Sequence, residues 1–335
     1  MTIRRRDATA FLIFAAPWAL HAQPVPRVIK FAMQNPPGSA QHDAALKFAE
    51  IVKAQSVGKL QVQVFGGGTL GKDVAVVAAL QGGTVEMALM SASLLSGLVR
   101  QMSVFDLPFV FASEAEAYAV VDGPFGKKLH GLLDAKGLVG LNYWEAGATH
   151  FHSGKRPFER LEDFQGVTIR AIETPVAIDF ISALGANPVP VPFPELYGAL
   201  EQKVVDGGTA PVIVMLNARL YEVQKYASLS GHMVLVQSLL FSKKAWDSYS
   251  ADERSLLQAA ADEARGVERQ LARERNAKAL AELKARGMSI NQLPASELAR
   301  MKARAQPVID KHTKAIGAGT VADLHAAIAR VREKD

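Results

Sequence analysis

Short apolar segments of strand length alternate with segments of helix length in two parts of this 335-residue chain, and this alternation constrains the fold more than any other feature. In the first part, Val28–Met33, Leu60–Phe65 and Val85–Met90 are candidate strands. The segments between them, 40–54 and 72–80, are candidate helices, with Ser39 before the first as a possible N-cap. This order predicts a parallel sheet with helices packed on its faces.

The same alternation returns after residue 137. The predicted strands are Leu138–Tyr143, Val167–Ala171, Val189–Val191 and Val204–Val205, the last ended by Asp206-Gly207-Gly208. The predicted helices cover Thr174–Leu184 and Pro194–Glu201. Two modules of this kind in one chain predict an α/β fold of two lobes with a cleft between them.

The last third of the sequence is predicted to be helical. Ser250 and Glu253 form a capping box that opens a helix ending near Gly287. A helix of this length can pack across both lobes, and its charged stretch 265–284 is interpreted as a solvated face. Ile290 is a candidate short strand. Helices over 295–314 and 321–332 follow, the second with Thr320 as its predicted cap.

The N-terminal residues have the pattern of an export signal. Arg4, Arg5 and Arg6 precede an apolar stretch over 8–20, and Ala22 offers a small residue at the cleavage point. We therefore predict a signal peptide over residues 1–22, exported by the Sec route, with the twin-arginine route as the alternative. The sequence contains no cysteine, which excludes disulfides, thiolate metal sites and a lipid-modified cysteine anchor. A freely diffusing periplasmic protein is the expected product.

Two patterns suggest other functions but lack an essential part. The glycine-rich stretch 66–72 resembles a phosphate-binding loop, yet Asp73 stands where a hydroxyl would bind magnesium, and a carboxylate there would repel phosphate. The net charge of +5 comes without a dense basic block. We expect neither nucleotide nor nucleic-acid binding.

A metal-dependent enzyme is the alternative that the residues leave open. His150 and His152 alternate along an extended stretch and would share one face of a strand, with Glu145 as a possible third ligand. These three residues define the rival hypothesis of a secreted metal-dependent hydrolase. Bound zinc in the purified protein would favour it.

Arg170 is the strongest candidate for ligand binding. It closes the apolar stretch Val167-Thr168-Ile169-Arg170 shortly before a helix, and ligands of open α/β sheets bind at the carboxyl ends of strands. A guanidinium there offers a planar fork that suits a carboxylate. The alternative is a structural ion pair, for which Glu173 is the nearest acid in sequence.

Several segments taken together resemble the DctP-type solute-binding proteins of TRAP (tripartite ATP-independent periplasmic) transporters. Their order along the chain is also that of the family. They are Gly68-Thr69-Leu70-Gly71, Val104-Phe105-Asp106-Leu107-Pro108-Phe109, Asp163-Phe164-Gln165-Gly166-Val167-Thr168-Ile169-Arg170, Ala183-Leu184-Gly185-Ala186-Asn187-Pro188, Val204-Val205-Asp206-Gly207 and Tyr221-Glu222-Val223-Gln224-Lys225-Tyr226.

The resemblance implies a non-catalytic binding protein with a periplasmic-binding-protein-like fold that closes on a small organic acid. One lobe would comprise 23–146 with about 235–275, and the other 147–234 with about 276–335 and the C-terminal helices. Arg170 matches the carboxylate-binding arginine of the family. The resemblance places the other site residues at Gln34, Asp73, Ser91, Glu145, Thr149, Glu173, Phe193 and Thr209.

The implied partner is a sodium-driven permease with a large and a small membrane subunit. A receptor kinase that senses the loaded protein is the alternative, and neighbouring genes for membrane subunits would separate the two. We expect a monomer that needs neither a cofactor nor a metal.

Two departures from the family pattern bear on the ligand. The second arginine that is common after Trp-Glu-x-Gly is missing, because Trp144–Gly147 leads to Ala148, Thr149 and His150. An asparagine common before proline is replaced by Ala210. A cleft with fewer charge partners favours a monoanion, and Glu173 would suit ligand hydroxyls or an amine.

Overall fold

The computed structural model describes residues 25–333, so the predicted signal peptide over residues 1–22 lies outside the described residues. Within 25–333, no helix combines the length and the apolar character that a membrane span requires.

The described elements alternate between strands and helices as the sequence predicts, and Ser39 caps the first helix by accepting a hydrogen bond from the backbone N–H of His42. The strands are β1 (Arg27–Met33), β2 (Leu60–Phe65), β3 (Met87–Ser91), β4 (Leu138–Ser153), β5 (Thr168–Ala171), β6 (Asn187–Pro190), β7 (Gly207–Pro211), β8 (Tyr226–Ser242) and β9 (Ser289–Gln292). The helices are α1 (Ala40–Gln55), α2 (Asp73–Gly82), α3 (Glu114–Asp122), α4 (Pro124–Gly131), α5 (Pro175–Ala183), α6 (Leu196–Glu201), α7 (Val212–Asn217), α8 (Lys243–Trp246), α9 (Ala251–Ala285), α10 (Ala295–Ile316) and α11 (Ala318–Arg332).

The nine described strands form one mixed sheet in the order β2-β1-β3-β8-β4-β7-β5-β6, with β9 beside β8. On one side β2, β1 and β3 are parallel, and on the other β7, β5 and β6 are parallel. These two parallel groups correspond to the two predicted modules. The antiparallel strands β4 and β8 lie between them and belong to both.

The strands β4 and β8 hold the two halves together. One end of their long pairing lies beside β3, where Gln237 of β8 is opposite Ser91, and the other end lies beside β7, where Phe151 of β4 is opposite Thr209. The register between β4 and β8 shifts at three places, one of them between Glu145 and Gly147. Gly147 has a φ of +106°, which glycine adopts without strain. The sheet therefore bends where the halves meet.

Helix α9 packs across both halves, as the sequence predicts. Near its start, Leu257, Ala261 and Ala264 belong to the apolar core that also contains Phe48 of α1. Near its end, Ala279 and Leu283 belong to a separate core with residues of α6 and α7. Alanine on the packed face lets the helix approach the sheet closely, so a single rigid helix contacts each half.

The charged face of α9 is not wholly solvated, which corrects the interpretation from sequence. Glu268 is fully buried, and its carboxylate accepts hydrogen bonds from the side chain of Gln41 at 3.2 Å and the backbone N–H of Glu145 at 3.0 Å. Burial raises the pKa of Glu268 to about 8. The middle of the helix is therefore tied to α1 and β4 by polar contacts, whereas its two ends are held by apolar packing.

Several boundary predictions were wrong. The strand predicted over Leu138–Tyr143 continues to Ser153 as β4. No strand forms at Val204–Val205, and the strand of this region is β7 (Gly207–Pro211). Gly207 and Gly208, which were expected to end a strand, are therefore its first two residues. The reason is that β7 pairs closely with β4: a Cβ added at Gly207 would lie 2.1 Å from the carbonyl oxygen of His152. Glycine is what allows the strand here. Helix α11 begins at Ala318 behind Gly317, so Thr320 lies inside the helix and does not cap it.

Candidate functional site

A cavity of about 110 Å³ lies between the two halves of the molecule. Its lining includes residues of α2, β3 and β8 from one side and of β5 and β7 from the other. Of the nine site residues predicted from the sequence, the structure brings eight together in this lining. They are Gln34, Asp73, Ser91, Thr149, Arg170, Glu173, Phe193 and Thr209.

Contacts between opposite ends of the sheet close this cavity on one side. Gly68 follows β2 and Pro194 follows β6, which are the two outermost strands of the main strand order. A Cβ added at Gly68 would nevertheless lie 3.0 Å from Cγ of Pro194, so the two segments approach each other closely. The ammonium of Lys72 also pairs with the carboxylate of Glu195. The curled sheet therefore brings its two ends face to face around the cavity.

Arg170 supplies the positive charge of the site. It lies near the carboxyl end of β5, is 6% exposed, and donates a hydrogen bond from Nε to the carbonyl oxygen of Val191 at 2.8 Å. Among the described residues, neither Nη atom has a hydrogen-bond or ion-pair partner, and the ion pair with Glu173 considered from sequence does not form within 4.0 Å. Burial lowers the pKa of Arg170 to about 10, partly opposed by Glu173 and Asp73, so the side chain stays charged at pH 7.

Asp73 opens α2 on the opposite side of the cavity and is 8% exposed. Burial is the main cause that raises the pKa of its carboxyl to about 6. The Gln34 side chain and Arg170 lower this pKa, whereas Glu173 raises it. A carboxylate is tolerated here because it stands at the first position of a helix, where the backbone dipole favours negative charge. At pH 7 most of the Asp73 carboxyl is ionised.

Asp106 is a second buried acid of the cavity, and its partners come from both halves. Its carboxylate accepts a hydrogen bond from the hydroxyl of Thr174, which precedes α5. Burial raises the pKa of Asp106 to about 6, and hydrogen bonds from Thr174 and Ser93 oppose that rise. Protein hydroxyls thus already engage this carboxylate, unlike that of Asp73.

Two side-chain amides of the cavity lining each keep a buried oxygen without a hydrogen-bond partner. Gln34 donates from Nε2 to the carbonyl oxygen of Gly71 at 3.0 Å, which fixes the orientation of its amide because a carbonyl only accepts. Gln237 donates from Nε2 to Oδ1 of Asn35 at 3.1 Å. Oε1 of Gln34 and Oε1 of Gln237 remain unpaired in the described structure. Buried acceptors of this kind are costly unless a ligand or water fills them.

Glu145 is a correction to the predicted site, because it does not line the cavity. Its carboxylate turns toward α9 and forms a double contact with Arg273, Oε1 to Nη2 at 2.7 Å and Oε2 to Nε at 3.2 Å. The backbone of Glu145 meanwhile binds Glu268. Its position beside the bend of β4 is structural, and Arg273 engages both oxygens of its side chain.

The three residues of the rival hydrolase hypothesis do not form a metal site. The ring nitrogen Nδ1 of His150 accepts the backbone N–H groups of Ser230 and Gly231 at 3.1 and 3.0 Å. His152 bonds to Oε1 of Gln224 at 2.8 Å, and Glu145 is held by arginine. Over residues 25–333, no three His, Cys, Asp or Glu side chains are grouped to hold a metal ion.

Six polar residues of the described lining were not predicted as site residues: Asn35, Ser39, Gln41, Asp106, Asn217 and Gln237. Asp106 and Gln237 carry a signal in the sequence. Asp106 is the single polar side chain of the apolar run Val104–Phe109, and Gln237 lies with Ser238 in the otherwise apolar run Val234–Leu240. An isolated amide or carboxylate inside such a run must meet a partner in the folded protein, and this signal could have identified both. Gln237 was overlooked because β8 was not predicted.

Comparisons with known proteins agree with one another. Residues 31–315 match the DctP family, described as bacterial extracellular solute-binding protein, family 7. The chain is 35% identical over 306 residues to the C4-dicarboxylate-binding periplasmic protein DctP of Rhodobacter capsulatus, covering 91% of this chain and 92% of that protein.

Two solved structures are similar over nearly their whole length. The sugar-acid-binding protein DctPAm of Advenella mimigardefordensis, in complex with galactonate, superposes with a TM-score of 0.89 at 36% identity, covering 91% of this chain and 98% of that one. A TRAP periplasmic solute-binding protein of Ochrobactrum anthropi, with a C-terminus bound in its ligand-binding pocket, gives a TM-score of 0.82 at 43% identity, covering 92% and 97%.

The raised pKa of Asp73 predicts a pH-dependent stability difference. Because folding raises this pKa from 3.8 to about 6, the folded protein binds the proton more readily than the unfolded chain. The associated stability is present at low pH and is lost as the pH rises through 6. The free energy of unfolding of the ligand-free protein, minus that of Asp73→Asn, should increase by about 2 kcal/mol from pH 7.5 to pH 4. Urea unfolding measures it, and parallel pH profiles of the two proteins would contradict it.

Proposed function

Because the chain belongs to the DctP family of bacterial extracellular solute-binding proteins, we propose that it captures a small carboxylate between its lobes in the periplasm and delivers it to a TRAP-type membrane permease. It is a solute-binding protein and not an enzyme. The two named relatives with stated ligands bind C4-dicarboxylates and a sugar acid respectively, and both ligand classes carry at least one carboxylate.

One observation carries the carboxylate assignment: Arg170 is buried, charged and unpaired at both Nη atoms. A guanidinium out of water without a counter-ion is costly, and only the Val191 carbonyl engages it within the described structure. A ligand carboxylate would supply both the charge and the two hydrogen bonds that the Nη groups lack. Arg170 therefore acts as the anchor of the ligand in this proposal.

The size of the cavity supports a small ligand. About 10–15 Å³ of such space holds one water-sized group. A cavity of about 110 Å³ thus accommodates a molecule on the order of ten non-hydrogen atoms. This is the size of an acid with four to six carbon atoms, and it does not suit a peptide or a nucleotide.

The lobe assignment that we propose is 23–146 with about 235–275, and 147–234 with about 276–335. In this assignment the chain passes from one lobe to the other near Ala146 and near Val234. Both places lie close to the register shift between β4 and β8 beside Gly147. Bends of this kind absorb a change of backbone angles, as a hinge requires. Rotation about them would separate Gly68 from Pro194 and open the cavity to solvent.

Export and delivery complete the proposal. A cleaved signal peptide over residues 1–22 would release a protein that lacks a cysteine for lipid attachment. Delivery to a permease is supported by the TRAP protein of Ochrobactrum anthropi, which is 43% identical. Neighbouring genes for two membrane subunits would support a permease, and a neighbouring receptor kinase gene would favour the sensing alternative.

The first prediction concerns Arg170. Once a screen of organic acids by thermal shift has identified a binder, Arg170→Ala should weaken its affinity about thirty-fold or more. Removing one partner of a buried charge pair costs about 2–5 kcal/mol, and about 1.4 kcal/mol is tenfold. Arg170→Lys should restore only part of the affinity, because an ammonium lacks the planar fork.

The matched control for this prediction is Arg156→Ala. Arg156 is exposed, and its guanidinium bonds to the backbone carbonyl of Asp163 away from the cavity. Calorimetric titration should show wild-type affinity for this variant. An Arg170→Ala protein with unchanged affinity, or one whose ligand-free form no longer melts cooperatively, would contradict the anchor role.

The second prediction concerns closure of the lobes. Gly67 and Gly68 both have positive φ, +66° and +72°, so alanine strains the backbone at either position. At Gly68 the new Cβ would also lie 2.5 Å from Oε1 of Gln34 and 3.0 Å from Pro194, whereas at Gly67 it meets nothing within 4 Å. Gly68→Ala should lose about tenfold more affinity than Gly67→Ala, measured by calorimetry. Equal losses would mean that these segments need not meet when the ligand binds.

The third prediction concerns the compartment. The mature protein should begin near Gln23 and should be released from cells by osmotic shock without detergent. N-terminal sequencing of the released protein tests the cleavage point. Recovery of an uncleaved chain in the membrane fraction would contradict the proposed export.

A further inference from the structure

The charges around the cavity are unequal, and this bears on the kind of acid it accepts. Among the described residues that line the cavity, Arg170 is the one cation, and the acidic residues are Asp73, Asp106 and Glu173. The carboxylate of Asp106 already accepts a hydrogen bond from the hydroxyl of Thr174. Within residues 25–333, Asp73 and Glu173 are the lining carboxylates that accept no hydrogen bond from a protein hydroxyl. A ligand carboxylate bound to Arg170 therefore uses the one cationic side chain that the described lining offers to an anion.

Asp73 and Arg170 belong to opposite lobes and do not touch. Asp73 begins α2, whereas Arg170 lies on β5, and no ion pair within 4.0 Å joins them in the described structure. Both residues nevertheless line the same cavity. A ligand that binds both must present an anionic group on one side and a hydrogen-bond donor on the other.

We propose that Asp73 is the specificity-determining residue of the site: its carboxylate accepts a hydrogen bond from a ligand hydroxyl and excludes acids that carry a second carboxylate. This proposal rests on the proposed capture of a carboxylate by Arg170. It assigns the protein to hydroxylated monocarboxylic acids rather than to dicarboxylates.

The neutral polar groups of the cavity agree with a hydroxylated ligand. Oε1 of Gln34 and Oε1 of Gln237 are buried acceptors without partners in the described structure, and ligand hydroxyls can donate hydrogen bonds to them. Ser91, Thr149 and Thr209 carry hydroxyls that both donate and accept. Ligand hydroxyls also donate and accept hydrogen bonds. A ligand ammonium only donates, so it would leave the hydroxyl protons of these three residues without an acceptor.

The negative charge of Asp73 explains the exclusion of dicarboxylates. The groups that act on its charge are Gln34, Glu173 and Arg170, and only Arg170 is cationic. Once the first ligand carboxylate occupies Arg170, a second one meets the like charge of Asp73 with no further cation in the described lining, and such a juxtaposition of like charges disfavours binding. A hydroxyl in the same place is neutral and donates to the carboxylate.

The test uses two pairs of acids with the same number of carbons. The two members of a pair differ only at the last carbon, which is a hydroxymethyl group in one and a carboxylate group in the other. These are galactonate with galactarate and erythronate with the tartrate of the same configuration. Calorimetric titration at pH 7.5 of the wild-type protein should show the monocarboxylate binding at least tenfold more tightly in any pair that binds. In Asp73→Asn this preference should fall by tenfold or more, because the amide carries no charge.

The control is Glu263→Gln, which removes an equal charge from an exposed residue of α9 outside the cavity lining. Its affinities for the paired acids, and its preference between them, should stay within twofold of wild type. Equal or tighter binding of the dicarboxylate by wild type, or an unaltered preference in Asp73→Asn, would overturn the role of Asp73 and leave capture by Arg170 standing. If no carboxylic acid in the screen shifts the melting temperature of the wild type, carboxylate capture fails, and this proposal fails with it.

Discussion

The pairing of β4 with β8 is the constraint on which the rest of the structure depends. Each parallel group of strands is small, and neither contains a long strand of its own. By running through both groups, β4 and β8 let one continuous sheet serve two lobes, while their register shifts let the sheet bend between them. The bend brings the far edges of the sheet toward each other, so that segments following β2 and β6 meet across a cavity.

Two sets of buried ionisable groups in this protein contrast sharply: one has its partners within the protein, and the other does not. At the bend, Glu145 and Glu268 are matched by Arg273 and by backbone and amide donors, so this network is satisfied within the protein. In the cavity, Arg170 has a single carbonyl partner and Asp73 has no cationic partner in contact. The first set fixes the geometry of the hinge region. The second is left incomplete, which is the state expected of a site that a ligand completes.

The sequence predicts the local elements well because most of them carry their own signals. The capping box at Ser250, the cap at Ser39 and the apolar strands of the two modules depend on residues only a few positions apart. The position of Arg170 at the end of β5 is also local, which is why its place in the cavity could be predicted.

Features set by distant parts of the chain could not be predicted in this way. The strand β7 begins at Gly207 because the backbone of β4 lies too close for a side chain, and that neighbour is more than fifty residues away in sequence. Glu145 is a predicted site residue, yet Arg273 of α9, more than a hundred residues away in sequence, pairs with its carboxylate. That same capture bears on specificity. The arginines of α9 neutralise the acid of the bend and not the cavity, so the cavity keeps one cation against opposing carboxylates. If Arg170 holds the ligand carboxylate as proposed, discrimination between acids passes to the other residues of the lining, and Gln34, Asp73 and Ser91 contribute to that lining from the lobe opposite Arg170.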